Sequence, residues 1–199
     1  MNDPSLKFWN WFVDFAELIP HEEFPESLQN ELLSKLQDYD NRLFFLVSTN
    51  SSPREFIVTA EGNREAFSVA DDLVAAAPDL ANWLFISLKP AMGFKFRHTD
   101  GPISLNVSEL WFFPTASTKD PAKLGIVLGF PDVDFVLNSQ SVDTAYTILE
   151  SAIGERSCIN DIAHVSVDNL PEDPGNSGYL ELPQLPEYIS FHKRQHNRG

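Results

Sequence analysis

The sequence predicts an α+β protein: a mostly antiparallel sheet built from two ββαβ units with helices on one face, plus an N-terminal helical pair. Three observations predict it. Residues 4–39 place apolar side chains at helical spacing, and the stretches 42–98 and 103–168 each run strand, strand, helix, strand. With 199 residues, 43% hydrophobic and 22% charged, the chain also has the composition of a packed globular protein. The expected organisation is one domain over 1–199: the helical pair (1–41), the two ββαβ units (42–98 and 103–168), and an extended C-terminal segment with a basic tail (169–199).

The first helix is expected over 4–19. Its polar residues Lys7, Asn10, Asp14 and Glu17 recur at spacings of three and four and make one narrow stripe. Phe8, Trp9, Trp11, Phe12, Val13, Phe15, Leu18 and Ile19 fill the rest of the circumference, so cover is expected on more than one side, from a neighbouring element or a partner. The second helix (25–39) has Pro25 at its first turn and the stripe Leu28, Leu32, Leu36, Tyr39. A short link, "IPHEEFP", makes the two helices an antiparallel pair, placed at an edge of the sheet or on its other face.

"RLFFLVST" (42–49) and "REFIVTA" (54–60) read as strands, and the turn formers "NSSP" between them predict a hairpin. Asn63 is positioned to cap a helix over 64–76, which Pro78 stops before the strand "WLFISLKP". The second half repeats the plan with "ELWFFPT", "KLGIVLGF", a helix over 141–153 and "DIAHVSV"; Ser141 is the expected N-cap and Gly154 the stop. Strand alternation predicts Leu84, Ile86 and Leu88 facing the core, with Phe85, Ser87 and Lys89 on the other face. It likewise sends Leu124, Ile126, Leu128 and Phe130 inward and leaves Gly125, Val127, Gly129, Ile162, His164 and Ser166 outward. With Glu55, Ile57 and Thr59 these form a mixed second face, on which paired glycines either admit another element closely or leave a shallow groove. Cover by the aromatic first helix is the expected outcome, since a bare face would be an exposed apolar patch. After residue 168 the chain is rich in Pro and Gly until "LPEYISFHKR", expected to dock as a short helix.

Charge narrows the partners. Fourteen basic residues face 29 acidic ones, for a net −15, and without the last nine residues 11 face 29, for −18. Such a field repels phosphate backbones and attracts basic proteins, so no nucleic acid is expected and a basic protein partner is favoured. Trp111, Phe112 and Phe113 have only Lys119 and Lys123 near them, too little for an aromatic nucleic-acid platform. One cysteine, Cys158, excludes an internal disulfide and any CxxC metal motif and points to a reducing, cytoplasmic setting. The apolar N-terminus is broken by Asn10, Asp14 and Glu17, so neither a signal sequence nor a membrane span is expected.

Candidate chemistry is sparse. "HEE" at 21–23 lacks the second histidine of a zinc helix, and no metal or cofactor is expected. His98 and Asp100, two apart in "RHTDG", form a candidate His–carboxylate pair, although a polar turn before Pro102 explains them better. Cys158 and His164, with Glu155 and Arg156 nearby, form a candidate thiol pair. No nucleophile elbow, phosphate loop or dinucleotide fingerprint is present. As binding contacts Lys89, Glu55 and Trp111 stand out.

"WNWF", "REFIVTAEGN", "AAAPDLANWLFISLKPAMGF", "ELWFFP", "ILESAIGE" and "LPEY" together resemble an uncharacterised bacterial domain-of-unknown-function family of small acidic α+β proteins, from Trp9 to about Tyr188. The resemblance implies no activity, cofactor or functional residue. By analogy, similar small acidic families include immunity-type binders, which fits a non-enzymatic cytosolic interaction module meeting a basic partner. The alternative is a small hydrolase or transferase using the His98/Asp100 or Cys158/His164 pair. Oligomeric state is not legible.

Overall fold

In the computed structural model the described residues are 3–21, 23–100, 103–131 and 140–196. They divide into two compact units, residues 1–90 and 91–199. The first holds helices α1 (Pro4–Ala16) and α2 (Glu26–Tyr39), strands β1 (Phe44–Ser48) and β2 (Arg54–Thr59), helix α3 (Phe67–Ala75) and strand β3 (Trp83–Ser87). Asp3 caps α1 by accepting a hydrogen bond from the Ser5 amide at 2.9 Å, and Asn63 caps the 3-10 turn leading into α3. Between α2 and β1, Asp40 accepts from the Arg42 side chain at 2.9 and 2.6 Å, which holds its carboxyl below the ordinary range.

The sheet of this unit has the order β1-β2-β3, with β1 antiparallel and β3 parallel to β2. A parallel third strand requires a crossover, and α3 supplies it. Register pairing sorts the side chains by face. Phe45, Val47, Arg54, Phe56, Val58, Trp83, Phe85 and Ser87 share one face. Helix α1 packs on it: Phe12 is fully buried 4.9 Å from Phe56, Trp9 lies 4.6 Å from Phe85, and Trp83 meets Phe12 edge-on at 5.4 Å. Helix α3 shares that face, since Ser87 donates a hydrogen bond to Asp71, and the Trp9 indole N–H donates to the Leu73 carbonyl at 2.7 Å. Arg54 is buried there too, donating to the Ile19 carbonyl at 2.9 Å with its guanidinium over the Trp83 ring.

Three expectations for this unit are corrected. Helix α1 ends at Ala16, short of the expected residue 19; the sheet and α2 supply the expected cover on more than one side, while Leu6 and Val13 stay exposed. It lies on the same sheet face as α3, because the large aromatics of β2 and β3 all project there. The phase of β3 is opposite to expectation, with Phe85 on the helix-packed face and Leu84 45% exposed, while Leu88, just past the strand, is buried as expected.

The second unit begins with a hairpin, β4 (Arg97–Asp100) and β5 (Ile103–Asn106), so the segment read as a polar turn is a strand. There follow β6 (Trp111–Ala116), β7 (Leu124–Phe130), α4 (Ser141–Ile153), α5 (Glu155–Asp161), β8 (Ile162–Asn169), β9 (Leu180–Glu181) and α6 (Leu185–His196). The sheet order is β8-β7-β6-β9, with β6 antiparallel and β8 parallel to β7. The strand, strand, helix, strand order thus occurs twice, but each copy carries its own mixed sheet in place of one mostly antiparallel sheet.

Leu124, Ile126, Leu128 and Phe130 project inward as expected, against Ala145, Ile148, Leu149 and Ala152 of α4 and Leu185 and Ile189 of α6. Gly154, at φ +83°, ends α4 and releases the chain into the unanticipated α5. Gln140, not Ser141, is the N-cap residue, and Ser141 is buried as the first helical residue. The "PAMGF" loop docks by donating the Met92 and Gly93 amides to the carbonyls of Ser151 and Ala152, with Gly93 at φ +74°.

The aromatic wedge buries Phe8, Trp9, Phe12 and Phe56 together. Phe12→Ala is expected to lower unfolding stability by about 3–5 kcal/mol in urea melts, whereas truncating exposed Leu6 should change it by less than about 0.5 kcal/mol.

Candidate functional site

In each unit the outer sheet face carries candidate binding chemistry. In the first, the sheet face opposite the helices carries Phe44, Leu46, Ser48, Glu55, Ile57, Thr59, Leu84 and Ile86. Phe44, Leu46 and Leu84 are 37, 46 and 45% exposed. Thr59 alone is sealed, under the turn at 60–62, where its hydroxyl accepts from the Glu61 amide. Glu55 is on the central strand, in register with Ser48 on one side and Leu84 on the other. Among the described residues its carboxylate makes no hydrogen bond or ion pair. Lys89, by contrast, is engaged by Glu61 at 3.1 Å.

In the second unit the outer sheet face is divided. At one end the segment 170–179 folds over it: a Cβ on Gly129 would lie 2.7 Å from Leu170 and 3.0 Å from Tyr179, and the Tyr179 ring meets Phe113 at a tilt, 5.5 Å between centroids. Glycine is required there by the close approach. Trp111, half-buried, is in register with Gly129 and Glu181 on this side. At the other end His164 is exposed, and its Nε2 lies 3.2 Å from Thr115 Oγ1. Both side chains sit over Gly125, where a Cβ would come within 2.2 Å of each.

His164 reaches this face through a register shift. Leu124 pairs with Ile162 but Gly125 pairs with His164, so Ala163 is an extra residue and the phase of β8 changes there. The expected outward set of Ile162, His164 and Ser166 therefore breaks at its first member: Ile162 is buried in the core and His164 is outward. A strict two-residue period contains no sign of such a bulge. Beside His164 a cleft of about 470 Å³ is lined by Ala163, Ser117, Thr118, Lys119, Asp120 and Lys123. The Lys123 ammonium is anchored by donating to the Ile159 carbonyl at 2.8 Å.

The paired candidates part company in space. Cys158 lies on α5 in the helix-side core, 4% exposed, while His164 stands on the opposite sheet face. Burial, with Glu150, Asp161 and Glu155 nearby, pushes the Cys158 thiol up to about 12. His98, on β4, is half-buried with its Nε2 enclosed and unpartnered, beside a cleft of about 350 Å³ lined by Thr99, Gln140, Asp143, Thr144 and Thr147. The side chain of Asp100 lies outside the described residues. Glu22 of "HEE" is also outside them, and among the described residues no group of three or more His, Cys, Asp or Glu is placed to hold a metal ion. Among them, too, no helix is long and apolar enough to cross a membrane. No family model, curated protein or solved structure matches the chain.

A thiol with its pKa raised to about 12 is protonated at neutral pH, so Cys158 is expected to resist alkylation by iodoacetamide at pH 8 until the protein is unfolded. Because the folded value lies above the unfolded one, the stabilisation from burying the neutral thiol is complete below about pH 9 and is lost as pH rises toward 12. Cys158→Ala should flatten that alkaline decline in urea melts.

Proposed function

We propose that this protein is a non-enzymatic, cytosolic interaction module of the immunity type, and that the open sheet face of residues 44–86 is where it meets a basic protein. The observation that carries the reading is Glu55, an unpaired carboxylate on the central strand of an exposed apolar face. A partner that fits presents aliphatic side chains around a lysine or arginine. The net charge of −15 adds long-range attraction for such a surface and repulsion for nucleic acid.

Size argues for a transient contact. Three strands about 4.8 Å apart, five residues long at about 3.3 Å each, make a patch of roughly 250 Å². A stable interface buries about 800 Å² per partner, so this face is the apolar centre of a contact whose rim is polar. A second copy of the chain fits poorly, because face-to-face pairing brings two Glu55 carboxylates together and opposes two bodies of −15. The enzymatic alternative draws no support from Cys158 and His164, which occupy opposite sides of their sheet.

The probe is a strand-forming peptide alternating leucine and lysine, compared with its glutamate-for-lysine counterpart by NMR. The lysine peptide is expected to shift the signals of Leu46, Glu55 and Leu84, with Glu55→Gln weakening it about two- to fivefold and Leu84→Asp abolishing it. Equal binding of both peptides, shifts confined to other surfaces, or a dimer of the free protein in sedimentation would each overturn the proposal.

A further inference from the structure

The cleft beside His164 is a second, independent feature, and three local choices converge on it. The extra residue Ala163 turns His164 to the outer face, Gly125 clears the space beneath its ring, and Thr115 holds its Nε2. An exposed imidazole gains the fold little from being fixed in this way. The arrangement also leaves Nδ1 without a partner among the described residues. When the Thr115 hydroxyl donates to Nε2, the proton of the neutral ring is on Nδ1, which is then a free donor.

Lys119 and Lys123 line the same cleft. Lys123 spends one of its three N–H donors on the Ile159 carbonyl, which fixes the ammonium and leaves two donors. Lys119 is exposed and makes no ion pair or hydrogen bond among the described residues. The Thr118 hydroxyl adds another donor, and Asp120 is the one carboxylate in the lining among the described residues. In a chain with 14 basic residues against 29 acidic ones, two lysines and a positioned histidine around one concavity are a local reversal of sign.

We propose that this cleft binds an oxyanion of the phosphate class, inorganic phosphate or a phosphate monoester. Two lysines, a histidine and a threonine, drawn from residues 118–123 and from β8, offer several donors around one cleft, which suits a tetrahedral acceptor with several oxygens better than a planar carboxylate. The net charge of −15 opposes an anion at long range, but charges beyond about 8 Å are largely screened at physiological salt, so the groups lining the cleft decide the outcome.

The test is an NMR titration of the full chain with inorganic phosphate at pH 7 and physiological ionic strength, read on the His164 ring protons and the Lys123 side chain. Sodium acetate and sodium chloride serve as parallel arms, and a phosphate monoester as a fourth. Phosphate is expected to give saturable shifts that acetate and chloride do not reproduce, and Lys119→Met with Lys123→Met to weaken it about tenfold or more. Tighter binding of the monoester assigns the site to an organic phosphate, and equal binding assigns it to the free anion; both support the proposal. Lys119→Met alone, at an exposed position, keeps the test valid if the double variant unfolds. No saturable shift, an equal response to acetate, or unchanged affinity in the lysine variants overturns it.

Discussion

The first unit depends on one contact, the insertion of Phe12 and Trp9 of α1 between Phe56 and Phe85 of the sheet. Four large rings meet at 4.6 to 6.2 Å, mostly edge-to-face, and the Trp9 indole then ties the group to the Leu73 carbonyl of α3. Aromatic pairs in such geometry add roughly 0.5–1.5 kcal/mol each beyond burial. The cost of the arrangement is directional. A three-stranded sheet that commits its aromatics and helices α1 and α3 to one face leaves Phe44, Leu46 and Leu84 of the other face exposed among the described residues.

That asymmetry connects packing to function. The bare face is not uniformly greasy: its central strand carries Glu55, with leucine, isoleucine and phenylalanine around it. In the second unit the outer face is handled differently. Gly129 admits Tyr179 and Leu170, which close one end, while Gly125 seats His164 and Thr115 at the other and leaves a cleft beside them. One sequence feature, a pair of glycines on one strand face, thus has two outcomes, set by what the neighbouring strands and the following segment bring to each.

Much of this was legible in the sequence, and the failures have physical causes. The boundaries of α2 and α4, the Asn63 cap, the Gly154 stop and the inward set of β7 follow from helical spacing, capping chemistry and period-two alternation. The phase of β3 was inverted because "WLFISL" is apolar at nearly every position, so alternation alone does not choose a face; the rings of Trp9 and Phe12 choose it. The bulge at Ala163 and the hairpin at β4 and β5 depend on partner strands, and no local pattern announces either. Glu55 was identifiable as a binding candidate from its outward position, whereas the His164 cleft needed Thr115, Lys119 and Lys123 to be brought together from separate segments.

The central claim is that residues 44–86 form a sheet packed on one face and open on the other. Line broadening of methyl signals by a soluble, uncharged paramagnetic gadolinium chelate measures this directly. The account predicts strong broadening for Leu46 and Leu84, intermediate broadening for Ile57 and Ile86, and almost none for Leu32, Leu36, Val58 and Leu73. Equal protection of Leu46 and Leu84 with Leu73 in the free monomer would contradict it, because the face proposed to await a partner would already be covered.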